Sequence, residues 1–159
     1  MRDININKNA HMWALRVITG WTLYITAIVL LTIAFTGCAS REVCAVAKSY
    51  VGKYYNRGAK YQCGNFVGTC VTKAGGETPD NPAKATNWLN WGMHVPWALK
   101  QPGDVIITWR NGPTSGDGHI LIYIGGNKAV HRSTYTSPVK VVSVENYQKR
   151  LLGVRRGYF

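Results

Sequence analysis

His119-Ile120-Leu121-Ile122-Tyr123-Ile124-Gly125-Gly126-Asn127-Lys128-Ala129-Val130-His131-Arg132-Ser133 is the stretch whose reading decides the fold. His119 to Ile124 is apolar and rich in β-branched residues, which predicts a buried strand. Gly125-Gly126-Asn127 tolerates the positive φ angles of a tight hairpin turn. Lys128 to Ser133 then returns beside the first strand. Upstream, Asp104 to Trp109 predicts another buried strand, separated by the loop Asn111–Gly118 with its three Gly and one Pro. Val139–Val144 and Leu151–Arg155 predict two strands more.

Before Gly103 the pattern is helical. Glu42–Tyr54 places Val43, Ala47, Tyr50 and Val51 at helical spacing, with Lys48 and Lys53 outside. Asn56-Arg57-Gly58 breaks that helix. Cys63–Ala74 carries Phe66, Val67, Cys70 and Val71 on one side and stops at Gly75-Gly76. Glu77–Ala83 holds two prolines and reads as a loop. Ala85–Asn90 is a short helix bearing Trp88, with Trp91 just beyond it. Helices first and an antiparallel sheet after give an α+β fold.

The 159 residues leave room for one domain and an appendage. A hydrophobic fraction of 46% and six Trp exclude a wholly disordered chain. Val17 to Ser40 contains no charged residue, and roughly 20 apolar residues are what a bilayer core requires. Arg2, Lys8 and Arg16 precede it against the lone acid Asp3, which predicts an N-terminus left in the cytoplasm. Residues 1–40 are therefore expected to be a signal peptide or signal-anchor helix, with an exported domain over 41–159. Phe35-Thr36-Gly37-Cys38 resembles the lipobox of bacterial lipoproteins, which would make Cys38 the site of lipid attachment. Phe35 stands where Leu is usual and the apolar region is long for a cleaved signal, so an uncleaved anchor is the alternative. The net charge of +12 is dispersed from Arg2 to Arg156. It suits an anionic polymer or membrane face, and no nucleic-acid motif accompanies it.

The chemistry rests on Cys63. A thiol where a loop becomes a helix feels the positive end of the helix dipole, which favours the reactive thiolate. His119 opens a strand, and His131 lies across the turn, so that register decides whether the two share a face. A base with an orienting polar group on the neighbouring strand is an arrangement that activates a thiol. Cys44 and Cys70 read either as a pair or as two small buried hydrophobes. No CxxC pair or zinc-like Cys/His spacing occurs, and neither metal nor cofactor is expected. Asp104 reads as a turn cap and Asp117 as a weak candidate to orient the base. Trp88, Trp91 and Trp97 read as core or as the floor of a cleft.

Gln62-Cys63-Gly64-Asn65-Phe66-Val67 is similar to the Cys motif of the NlpC-type and CHAP cysteine peptidases, broadly Asp-Cys-Ser-Gly-Phe-Val. Pro102-Gly103-Asp104-Val105 resembles their Pro-Gly-Asp strand start, and Gly118-His119-Ile120-Leu121-Ile122-Tyr123 their Gly/Ser-His-Val-Gly-Ile-Tyr strand. Ala129-Val130-His131-Arg132-Ser133 looks like their Phe-Ile-His-Ala-Ser. Trp88–Gly92 and Arg150–Arg156 are also similar to a phage-associated branch. The likeness runs from about Val43 to Arg156. Gly64-Asn65 in place of Ser-Gly, and Leu121 in place of Gly, depart from it.

The resemblance implies a papain-like core with Cys63 as nucleophile, His119 as base and His131 as third member. It further implies Gln62, Tyr55 and Tyr61 near the oxyanion or substrate. The expected activity is peptidoglycan hydrolysis outside the cytoplasm, as a stem-peptide endopeptidase or an amidase, in a monomer whose partners are peptidoglycan and the membrane. The alternatives are a membrane-anchored binding or structural protein on a degenerate fold, and a thiol acyltransferase or thioesterase.

Overall fold

A computed structural model of the chain describes Trp21, Tyr24, Thr26 and residues 40–56, 59 and 62–158. The chain separates into Met1–Gly37 and Cys38–Phe159, and the strands described here all belong to the second unit. Cys38, Tyr61 and most of Val17–Ser40 lie outside the described residues. Among the described residues no helix is long and apolar enough to cross a membrane.

The α+β expectation holds. Helix α1 (residues 40–49) and helix α2 (Cys63–Lys73) precede an antiparallel sheet. Its strands are β1 (Met93–His94), β2 (Val105–Trp109), β3 (Gly118–Gly125), β4 (Lys128–His131), β5 (Lys140–Ser143) and β6 (Leu151–Arg156), with a short helix α3 (Glu145–Gln148) before the last. In space they run β1-β6-β2-β3-β4-β5.

Alternation along the strands builds two apolar layers. Val105, Ile107, Ile120, Ile122 and Val130 meet Val43 and Ala47 of α1 and Phe66, Val67, Cys70 and Val71 of α2. Ile106, Leu121, Ala129 and Val154 face the other way, against Val95, Val144 and Tyr147. Both faces of β2 and β3 are thus covered, which is why these strands read as continuous apolar runs. Each fully buried Ile or Phe here contributes about 1.5–3 kcal/mol. Leu121, the residue that departs from the resembling motif, is wholly buried in the second layer.

Three elements differ from expectation. Helix α1 stops at residue 49, short of Tyr54, because the following backbone is claimed by the sheet. Gly52, at φ +79°, donates its N–H to Val139 O at 2.9 Å, and Val139 N–H donates to Lys53 O at 2.9 Å. Strand β1 has too few residues to show a period, and exists by pairing Met93 and His94 with Arg156 and Arg155. Ala85–Asn90 is helical as expected but wound as a 3₁₀ helix.

Polar groups lock the margins. Asp104 is wholly buried, and its Oδ2 accepts the Gln101 N–H at 2.7 Å, the turn cap expected of it. The same carboxylate receives Arg156 Nε at 2.7 Å and Nη2 at 2.8 Å, a bidentate pair joining the start of β2 to the end of β6. Cys44 and Cys70 are free thiols in the core, so they behave as small hydrophobes and not as a disulfide. Burial pushes the Cys70 thiol up to about 12, and that of Cys44 upward as well.

The tryptophans hold a loop. Trp88 is wholly buried and its Nε1–H donates to Pro82 O at 2.9 Å, while Trp91 Nε1–H donates to Glu77 O at 2.8 Å. Trp97 packs on the second layer with Lys100 Nζ 4.0 Å from its ring centre. The loop so pinned runs directly over the start of α2. A side chain at Gly64 would collide with the carbonyl oxygens of Pro82 and Ala83. This accounts for Gly where the resembling motif carries Ser. Gly64→Ser is expected to lower stability by about 1–3 kcal/mol through overpacking, measured by urea denaturation; an unchanged midpoint would refute the close packing.

Candidate active site

Cys63 is the first residue of α2, 6% exposed, at the helix end where backbone N–H groups point outward. Two clefts meet at it. One of about 310 Å³ is lined by Gln62, Arg110, Arg132, Ser133, Thr134 and Tyr135 as well as Cys63. The other, of about 280 Å³, shares Cys63 and Arg110 and adds Asn81, Ala83, Lys84 and Asp117 among its walls. Cys63 and Arg110 therefore stand at the junction of a groove open on both sides of the thiol.

The histidines meet as the hairpin register directs. Ile122 pairs with Val130 and Tyr123 with Ala129. Continuing that register brings His131 opposite Leu121, two residues from His119 and on the same face. His119 Nε2 and His131 Nδ1 are 2.6 Å apart, and the ring of Tyr147 lies 6.1 Å from the first and 5.8 Å from the second, centre to centre.

The β2–β3 register does the same for a residue that sequence reasoning missed. Thr108 pairs with His119, so Arg110, two further on, shares its face. Arg110 Nη2 lies 3.0 Å from His119 Nδ1. A guanidinium only donates, so Nδ1 must be the acceptor. His119 then carries its proton on Nε2 and donates it to His131 Nδ1. The tautomers of both rings follow from one arginine.

Electrostatics keep the pair neutral. His119 is held well below the ordinary imidazole range, first by burial and then by His131, Arg110 and Arg150. His131 is lowered to about 4, by burial first and then by Arg110 and Lys140. All the charges acting on the pair are cationic.

Arg132 was also missed. It is 2% exposed. Its Nε donates to Tyr55 O at 3.0 Å, and its Nη2 to Asn56 O at 3.1 Å and Ala59 O at 2.6 Å. The residue after His131 thus anchors the loop that leads into Cys63. The available signal was a bulky cation in a motif whose counterpart there is Ala.

The other candidates are dispersed. Gln62 lines the cleft, its Oε1 accepting Asn65 Nδ2–H at 2.7 Å. Tyr55 lies elsewhere: its ring packs edge-on against Tyr50 and Phe66, and its hydroxyl meets Thr69 Oγ1 at 2.7 Å and Asn65 O at 3.1 Å. Aromatic packing at the helix end has claimed it. Tyr61 and Cys38 lie outside the described residues. Asp117 is exposed and bonded to Asn111 Nδ2 at 2.8 Å, and the side chain at His119 Nδ1 is Arg110 instead. Among the described residues no group of three or more His, Cys, Asp or Glu could hold a metal ion.

Residues 50–156 match the model of the NlpC/P60 family. No curated protein sequence matches the chain. Among solved structures it is similar to an NlpC/P60 family protein from Bacillus cereus, with TM-score 0.62 and 21% identity, covering 74% of this chain and 39% of that one. It is similar to the peptidoglycan hydrolase RipB of Mycobacterium tuberculosis, with TM-score 0.61 and 23% identity over 77% of this chain and 66% of RipB. NlpC2 from Trichomonas vaginalis gives TM-score 0.65 and 16% identity over 76% and 47%. The chain spans less than two thirds of the length of each of these relatives.

The buried neutral histidines carry a pH signature. In the unfolded chain His131 binds a proton near pH 6.5, but in the folded one only near 4. The unfolded state is thus favoured by protons across that window, and the stabilisation, complete above it, is lost as pH falls from 6.5 to 4. The loss due to His131 is on the order of 3 kcal/mol. His131→Gln is expected to flatten the decline of Tm over this range; an equal decline in both proteins would refute a buried neutral His131.

Proposed function

The chain belongs to the NlpC/P60 family, and from that premise we propose that it is a cysteine-dependent peptidoglycan hydrolase acting outside the cytoplasm. The observation that carries the reading is Cys63 at the first residue of α2, in a groove that shares Arg110 with the His119–His131 pair. In this reading His119 takes the Cys63 proton and the thiolate attacks an amide carbonyl of a stem peptide, or of the amide at its root. The backbone N–H of Cys63 meets the developing oxyanion. The amine leaves with the proton from His119, and water hydrolyses the thioester to release a carboxylate and restore the thiol. His131, accepting from His119 Nε2–H, orients the base.

The net charge of +12 supports binding to an anionic wall polymer. The uncharged stretch Val17–Ser40 supports export of the domain over 41–159, held at the membrane by lipid on Cys38 or by an uncleaved helix. The likeness of Trp88–Gly92 and Arg150–Arg156 to a phage-associated branch supports deployment by a phage.

Incubating the protein with purified sacculi is expected to release muropeptides with new amine ends, and Cys63→Ala to abolish their release. Sacculi left intact by excess wild-type protein that still binds them would favour a binding module. The mass of the membrane form tests the anchor: loss of the first 37 residues with added acyl mass identifies a lipoprotein, and an intact N-terminus the uncleaved helix.

A further inference from the structure

Both ring nitrogens of His119 are engaged in this structure. Nε2–H is committed to His131, and Nδ1, the nitrogen that could accept a proton, is covered by Arg110 Nη2 at 3.0 Å. A general base needs that lone pair. The covering group is lightly held, for Arg110 is exposed at the end of β2 and lines the same groove as Cys63.

We propose that Arg110 is a substrate-released latch on the base: a carboxylate of the bound peptide draws its guanidinium off His119 Nδ1 and so frees His119 to take the Cys63 proton. This role rests on the peptidoglycan reading above and narrows it to stem peptides bearing a free carboxylate beside the scissile amide.

Three observations support it. A guanidinium binds a carboxylate through a bidentate fork of two hydrogen bonds between opposite charges, whereas His119 Nδ1 offers it one neutral acceptor. A carboxylate in the groove therefore outcompetes an imidazole nitrogen. Second, the larger cleft is lined by Arg110 and Arg132 with no carboxylate among its described walls, and Arg132 is committed to the carbonyls of Tyr55, Asn56 and Ala59. Arg110 is the guanidinium there that can change partner. Third, the charged groups facing the histidines are Arg110 from β2, Arg150 from the turn before β6 and Lys140 from β5, with neutral Tyr147 from α3. An imidazolium among these cations is disfavoured until a negative charge arrives. The substrate carboxylate supplies it, and the proton then passes from Cys63 Sγ to His119 Nδ1 and on to the leaving amine.

The test compares wild type with Arg110→Met in the full chain. Without substrate, iodoacetamide alkylation of Cys63 at pH 7, followed by peptide mass, is expected to be about tenfold faster in Arg110→Met, because the thiolate is the reacting form and the base is uncovered. Loss of a cation alone would slow alkylation, so the sign separates release of the base from simple electrostatics. With substrate, wild type is expected to hydrolyse a stem peptide at about tenfold higher kcat/KM than the same peptide with its carboxylates amidated, and Arg110→Met to level the two. Nitrogen-15 NMR of Cys63→Ala keeps Arg110 in place. The stem peptide is expected to shift the His119 Nδ1 resonance and its amidated form to leave it unmoved.

Alkylation equal to or slower than wild type in Arg110→Met, or a His119 Nδ1 signal indifferent to the carboxylate, would overturn the latch. A wild-type protein without hydrolytic activity would sink the hydrolase reading alone, since alkylation and the NMR signal still decide the latch.

Discussion

The register of the β2–β3–β4 meander is the constraint on which the site depends. Thr108 opposite His119, and Val130 opposite Ile122, place Arg110, His119 and His131 on one face of the sheet. A slip of one residue in either pairing would turn a member of this row to the other face. The turn that fixes the second pairing has Gly125, Gly126 and Asn127 all at positive φ. A bulge between Tyr123 and Gly125 takes up the extra residue just before it. The two apolar layers then make a slip costly, because Ile120 and Ile122 would trade places with Leu121 and His119.

Cys63 comes from a separate part of the chain, and polar groups set where it stands. Arg132 ties the carbonyls of the loop before α2 to the end of β4, next to His131. Trp88 and Trp91 hold the Glu77–Ala83 loop against the first turn of α2. Each such contact contributes a net of about 0.5–1.5 kcal/mol, more where the donor is charged. The position of Cys63 is thus set by hydrogen bonds to backbone as much as by the apolar face of its helix.

Charge shapes the site in one direction. Arg110 and Arg132 line the larger cleft beside the thiol, and Arg110, Lys140 and Arg150 act on the histidines, with no carboxylate in either set. Such a field keeps the imidazoles neutral and favours anions in the groove. The partner of His119 Nε2–H is correspondingly a histidine, His131, which accepts without bringing negative charge.

Local sequence determined much of this. The apolar runs of β2 and β3, the glycine-rich turn, the helical spacing of Phe66, Val67, Cys70 and Val71, and Cys63 at a helix start could all be read from neighbours along the chain, because each depends on short-range periodicity or on a residue's own conformational range. Even the meeting of His119 and His131 was within reach up to the register. What lay beyond reach was set by partners far away in sequence. Helix α1 ended early because Val139 claimed its backbone, and Tyr55 left the cleft because Tyr50, Phe66 and Thr69 could pack and bond it. Gly64, a departure from the resembling motif, proved to be room for the carbonyls of Pro82 and Ala83. Arg110 and Arg132 looked like dispersed surface charge until the sheet and the loop brought His119 and three carbonyls to them. Period and propensity act between neighbours, whereas a guanidinium's partner is chosen by whatever acceptor the tertiary fold sets within 3 Å of it, and only the folded chain decides that.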